Sequence, residues 1–193
     1  MKGVIIDLVL IITKLIIRVL LMLLKATTEN IDDIMTIISD AKGYLRGQNL
    51  SQWNLDDGYP RKEDLLKDID NENCYLYVEN NTIVGCMCII FTPDENYYEI
   101  DGNWLTNNEY ASIHRIAIKD NFHHKGIGRK MLLLAEKIVK EQNVYSIKID
   151  THANNIPMTK TILSSGYTYC GIIKLKRSET DNLRNAYEKR LAE

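Results

Sequence analysis

At 193 residues, 45% of them hydrophobic, the chain can bury one sizeable core, and its length favours one domain over two. Its 24 Lys and Arg against 26 Asp and Glu give a formal charge of −2, which removes the basic excess that would point to nucleic acid and leaves small-molecule chemistry as the expectation. Cys74, Cys86, Cys88 and Cys170 lack CxxC spacing, and His114, His123, His124 and His152 form neither HExxH nor a Cys/His ligand set, so the thiols are expected to be reduced and structural, the compartment cytoplasmic, and no metal is expected.

Residues 1–24 are almost wholly apolar, with Asp7, Lys14 and Arg18 falling on one line of a helix. Three readings stay open. A membrane-spanning or signal segment fits the length, but two cations and an acid near its middle are costly there. An interfacial or partner-binding amphipathic helix tolerates the charged line better. The third reading is an extension of no catalytic consequence ahead of a working domain. The boundary is drawn with residues 1–21 as the extension and 22–193 as the domain, so any membrane association is confined to 1–21.

Leu20 to Ala26 suits a short buried strand, and Thr27 or Thr28 can cap the helix that follows, in which Ile31, Ile34, Met35, Ile38 and Leu45 keep helical spacing to about Tyr44, with a break near Gly47. Residues 48–60 are turn-rich yet carry Trp53 and Tyr59, and 62–68 reads as a second short helix. Strands over 74–79 and 82–91 are joined at Asn80-Asn81, a pair that accepts the positive φ of a tight hairpin. Residues 93–110 read as a loop over a site or a long hairpin tip. A βαβ unit follows: strand 112–119, helix 126–141, with Met131, Leu134, Ala135 and Ile138 on one face, and strand 144–150. Pro157 near the start of 155–165 and Gly166 past its end mark one more helix, and 167–176 and 182–190 finish as strands.

Within this order, HHKGIGRK stands after a strand and opens a helix. Unpaired amides and the positive dipole end of a helix start attract an anionic phosphate, a glycine-rich turn lets it approach, and Lys125, Arg129 and Lys130 add positive charge. Neither GxxxxGK[ST] nor GxGxxG is present, and a lone GxG could be a mere tight turn.

The longer segment IAIKDNFHHKGIGRKMLLLAEK resembles the acetyl-CoA-binding motif of the GNAT superfamily of N-acetyltransferases, a strand followed by [QR]xxGx[GA]. Gly126 and Gly128 match, and His123 stands where Gln or Arg is customary. NNIPMTKTILSSGY resembles the later motif of that superfamily, in which an asparagine opens a helix ending in a Gly-aromatic pair, here Asn155 and Gly166-Tyr167. The resemblance implies an α/β (α+β) fold, with a mixed, strongly twisted sheet of about seven strands, helices on both faces, and a gap beside the central strand that takes the pantetheine arm of acetyl-CoA. It implies that backbone groups of Ile116, Ala117 and Ile118 meet that arm, that His123, His124, Lys125, Gly126, Ile127, Gly128, Arg129 and Lys130 surround the pyrophosphate, and that Asn155 binds from the other side. The implied chemistry is direct attack of a neutral, small primary amine on the thioester.

Many relatives place a tyrosine, the acid for the coenzyme A thiolate, seven residues after the asparagine. Here that position is Ile162, and Tyr167 is a substitute by proximity in sequence only, a packed aromatic after the helix being the plainer reading. His114 resembles a histidine of arylalkylamine-type acetyltransferases and could take the amine proton, or could simply be a hydrogen-bonded residue on a sheet face. Glu99, Glu109 and Tyr110 are rivals. Gln52, Trp53 and Tyr59 would form a wall of the acceptor pocket with Tyr110 nearby, unless Trp53 only seals the core. The competing functions are a non-catalytic acyl-CoA sensor of the same fold, suggested by Ile162, and a membrane-associated interaction protein acting through 1–21. The sequence leaves room for a homodimer.

Overall fold

Eight strands form one sheet in the order β1-β2-β3-β5-β6-β8-β7-β4 in a computed structural model that describes residues 21–50, 52–53, 58–176 and 181–192. The readings made for 1–20 lie outside these residues, and among the described residues no helix is long and apolar enough to cross a membrane.

In chain order the elements are β1 (Leu21–Lys25), α1 (Ile31–Gly47), α2 (Lys62–Asp70), β2 (Cys74–Glu79), β3 (Thr82–Ile90), β4 (Asp101–Gly102), β5 (Ala111–Ile118), α3 (Ile127–Glu141), β6 (Ser146–Thr151), α4 (Ile156–Ser164), β7 (Thr168–Lys174) and β8 (Leu183–Arg190). Strand β1 thus opens at Leu21, one residue before the boundary drawn from the sequence. Asn80 and Asn81 take positive φ, 51° and 59°, and close the β2–β3 hairpin as expected. Neighbouring strands are antiparallel except β5 and β6, which α3 joins as the parallel βαβ unit.

Alternation along β2 and β3 divides the core between the two faces. Tyr75, Tyr77, Val84, Met87 and Ile89 pack with Ile113, Ile147 and Ile149 against Met131, Leu132, Ala135 and Val139 of α3 and Ile162 of α4. On the other face Cys74, Leu76, Cys86, Cys88 and Ala117 meet Ile34, Ile37 and Ile38 of α1 and Leu65 and Ile69 of α2. The four cysteines are all buried and free. Leu134 and Ile138 flank the buried face of α3 and are only partly buried.

Helix α1 runs on to Gly47 and exits at Asn49, whose φ is 55°. The Leu50 N–H reaches back to Leu45 O at 3.0 Å, and Leu50 is buried. The same closure ends α3 at Asn143, where Val144 belongs to the helix exit rather than to β6, which therefore begins at Ser146. It also ends α4 at Gly166, where the Tyr167 N–H reaches Ile162 O at 3.4 Å. The eighth strand is β4, two residues long, and its Gly102 lies so close to Gly171 of β7 that an added Cβ would fall 2.1 Å from Cys170 O.

Candidate active site

The parallel pairing of β5 and β6 is short. Ala111, Ser112 and Ile113 face Ile147, Lys148 and Ile149, and there the register stops. Beyond it, His114, Ala117 and Ile118 stay with β3 opposite Cys88, Cys86 and Gly85, while Asp150 and Thr151 stay with β8. The strands part because β5 bulges: Arg115 and Ile116 together oppose Met87, and Arg115 takes a φ of 51°. A buried ion pair holds the bulge, with Arg115 Nη1 3.0 Å from Asp68 Oδ2 on α2 and the guanidinium over the Tyr59 ring at 5.4 Å. Burial raises the Asp68 carboxyl despite the Arg115 charge and the Cys88 thiol, which donates to it at 3.3 Å. The parted strands open a cleft of about 930 Å³.

At one end the cleft is lined by Ile116, Ala117, Ile118, His123, His124, Gly126, Ile127, Gly128 and Arg129. The first α3 bond runs from the Lys130 N–H to Gly126 O at 3.1 Å, so the amides of 127–129 have no acceptor within the helix. Gly126 needs its left-handed φ of 70°, and open space surrounds the place of its missing Cβ. Gly128 is small for another reason: a Cβ there would sit 3.0 Å from Thr161 Cγ2, so the glycine lets α4 close on the start of α3. His123 is fixed by Tyr44, stacked at 4.5 Å, and by its Nε2, 3.2 Å from Ile118 O. Two of the expected cations do not line the cleft. Lys130 Nζ pairs with Glu79 at 2.9 Å, and Lys125 Nζ donates to Asn121 O and lies over Phe122. Lys160 of α4 lines the cleft instead, and the sequence reading did not single it out.

Asn155 begins α4, its Oδ1 accepting from the Met158 N–H at 3.2 Å and its Nδ2 donating to Gln52 Oε1 at 3.0 Å across 103 residues of chain. It therefore ties the later motif to the other end of the cleft, where Gln52, Trp53, Tyr59, Asp94, His114, Arg115 and Asp150 form the lining. His114 Nε2 is 3.2 Å from Asp94 Oδ2. Burial pushes the Asp94 carboxyl up, but His114 and the Asn96 donors outweigh it and hold it below the ordinary carboxylate range. Tyr97, buried beside His114 with ring centroids 6.0 Å apart, donates its hydroxyl to Asp150 Oδ1 at 2.7 Å. Burial, with the Asp150 carboxylate, raises the Tyr97 phenol well above its usual value.

Three expected residues lie elsewhere. Tyr167 is a core residue, because the exit from α4 turns its side chain in beside Ile162, and both are buried. Glu109 is exposed and lines a separate, smaller hollow with Tyr145 and Ser146. Tyr110 stands behind the cleft wall, where its oxygen accepts from the Asp94 N–H at 3.1 Å. Asp94 and Asp150, which the sequence reading missed, have no periodic or motif signal. The expectation of a loop over a site at 93–110 covers Asp94 without naming it.

Residues 37–167 match the acetyltransferase (GNAT) family. Streptothricin acetyltransferase of Escherichia coli is 24% identical over 116 residues, 58% of this chain, and the match spans only 59% of that relative's length. A GNAT family acetyltransferase from Streptococcus agalactiae 2603 superposes with a TM-score of 0.81 at 28% identity, covering 90% of this chain and 96% of that one. PaiA N-acetyltransferase from Thermoplasma acidophilum, whose structure is a complex with coenzyme A, gives 0.61 at 18% identity, covering 88% of this chain and 98% of that one, a likeness of fold alone.

Proposed function

Because this chain belongs to the GNAT family of acetyltransferases, we propose that it is an acetyl-CoA-dependent N-acetyltransferase whose acceptor is a small primary amine. The observation that carries the reading is the gap between β5 and β6, with helix-start amides at one end and an imidazole paired to a carboxylate at the other. Acetyl-CoA would run along the gap. Its pyrophosphate would meet the amides of 127–129, with Arg129 and Lys160 supplying positive charge, and its arm would lie along Ile116, Ala117 and Ile118 opposite Asn155.

The acceptor would enter between Trp53, Tyr59 and His114. Direct transfer requires a neutral amine nitrogen, and His114 is the group on the acceptor wall whose imidazole can take its proton. Attack on the thioester carbonyl forms the amide bond and releases the thiolate, which requires a proton in turn. The sensor reading draws on Ile162, since a buried isoleucine cannot supply that proton.

One experiment separates the two: free thiol appearing from acetyl-CoA in the presence of amines, polyamines and amino acids. Turnover of at least one amine above hydrolysis is the expected result. Tight acetyl-CoA binding with no turnover across the panel would leave the sensor as the better account.

A further inference from the structure

The neighbours of His114 specify more than its presence in the cleft. Its Nε2 makes an ion-pair contact with Asp94, whose Oδ2 lies 3.2 Å away. Asp94 has little freedom to turn away. Its backbone N–H donates to Tyr110, and its Oδ1 accepts from both the N–H and the Nδ2 of Asn96, at 2.9 and 2.7 Å. That leaves Oδ2 for the imidazole. An ionised carboxylate only accepts hydrogen bonds, so the ring nitrogen facing it carries the hydrogen, and in the neutral ring the lone pair sits on the other nitrogen.

We infer that Asp94 is the positioning residue of the proton transfer: it holds neutral His114 as the Nε2–H tautomer, which makes Nδ1 the atom that takes the proton from the amine. The inference rests on the reading of His114 as the base. Its balance closes without a second acid. The amine nitrogen bonds to the carbonyl carbon, the carbon–sulfur pair leaves with sulfur, the nitrogen's proton moves to Nδ1, and the imidazolium returns it to the thiolate. Asp94 faces the positive charge held in between.

The other charged and titratable groups around the ring do not compete for this role. Asp68 on α2 and Arg115 on β5 neutralise each other at 3.0 Å. Tyr97 presents its ring at 6.0 Å and directs its hydroxyl to Asp150 on β6. Asp94 is therefore the carboxylate in direct contact with the imidazole.

The decisive variant is Asp94→Asn. The two Asn96 donors require an acceptor, so the new amide oxygen takes the place of Oδ1, and the amide N–H₂ then donates to Nε2 and drives the ring to the Nδ1–H form. Long-range proton–nitrogen correlation spectra of protein labelled in histidine read the tautomer directly, above the pH at which the ring is neutral. The wild type should show Nε2–H and Asp94→Asn should show Nδ1–H. The variant should bind acetyl-CoA as before and lose roughly 100-fold or more in kcat, since a base in the wrong tautomer cannot accept the proton. Adding His114→Gln to that variant should cost little more. A wild-type ring in the Nδ1–H form overturns the inference, as does a variant with unchanged kcat. A variant that only melts earlier, with its tautomer unmoved, would make Asp94 a structural cap of its loop. If the wild type is Nε2–H and turns over no amine, the tautomer assignment stands and the enzyme reading falls.

Discussion

The two ends of the cleft are built in different ways. The end at the start of α3 is made chiefly from contiguous chain, residues 116–129, and presents backbone amides, a left-handed glycine and a helix start. The other end gathers Gln52 and Tyr59, Asp94, His114 and Asp150 from four separate segments and presents side chains. A backbone device leaves a spacing in the sequence, because glycine must stand where the turn and the close approach require it. A side-chain constellation leaves none. The contrast makes demands on mutation: the first end should respond to added volume, the second to lost chemistry.

The largest effect is expected where the second end depends on a buried charge. In Arg115→Met the Asp68 carboxylate, with 9% of its side chain exposed, loses its cation while the bulge keeps its positive φ. Breaking such a pair from one side costs about 3–5 kcal/mol. Denaturant unfolding should show a loss of that size, and the double variant with Asp68→Leu should recover much of it. An unchanged midpoint for Arg115→Met would mean that strand pairing alone holds the bulge.

His114→Gln comes next. The rate should fall by roughly 100-fold, the scale of a positioned base, and the acidic limb of the pH profile should go with it, while acetyl-CoA affinity is unchanged. His123→Gln makes the comparison sharper, because that ring is stacked on Tyr44 and tied to Ile118 O at the cofactor end. It should alter affinity with no change in the pH profile. Reversed phenotypes for the two histidines would abolish the division between the ends.

Gly128→Ala tests volume. The new methyl would lie 3.0 Å from Thr161 Cγ2 and force α4 away from α3. Overpacking of this kind costs about 1–3 kcal/mol, and acetyl-CoA affinity should drop with it, as read by calorimetry. Thr161→Ser deletes the obstructing methyl and should restore most of both. The absence of rescue would mean that the glycine serves the phosphate directly, as its place in the motif first suggests.

The same distinction explains what could be read from the sequence. The βαβ unit, the Asn80-Asn81 hairpin and the Asn155 to Gly166 helix all carry local signals, and each lies within two residues of where it was expected. Helix α1 runs past Tyr44 to Gly47, near the expected break, because Asn49 makes the left-handed exit and Leu50 the buried contact after it. Strand β4 escaped notice because two residues, one of them glycine, have no alternation to display. In the site, Tyr167 follows a glycine helix exit and is buried, which matches the plainer of its two sequence readings, a packed aromatic. Asp94 could not be paired with His114 from sequence, because 20 positions, most of them irregular loop, separate a loop carboxylate from a strand histidine.

The smallest expected effect tests the cofactor end by its charges. Arg129 and Lys130 are neighbours in the motif, and a reading from sequence makes both of them phosphate ligands. Successive residues on a helix point about 100° apart, so the two cannot serve one site equally. Arg129 lines the cleft, whereas Lys130 extends to Glu79 of β2 at 2.9 Å, a pair that raises the lysine pKa. A partly exposed pair of this kind is worth about 0–1 kcal/mol. Lys130→Ala should therefore lower stability by no more than that and leave acetyl-CoA affinity within about twofold. Arg129→Ala should weaken affinity by up to about tenfold, and the loss should shrink as salt rises, because a solvent-facing charge acting on phosphate is screened within about 10 Å at 0.1 M. Equal losses from the two variants would show that Lys130 leaves Glu79 when the cofactor binds.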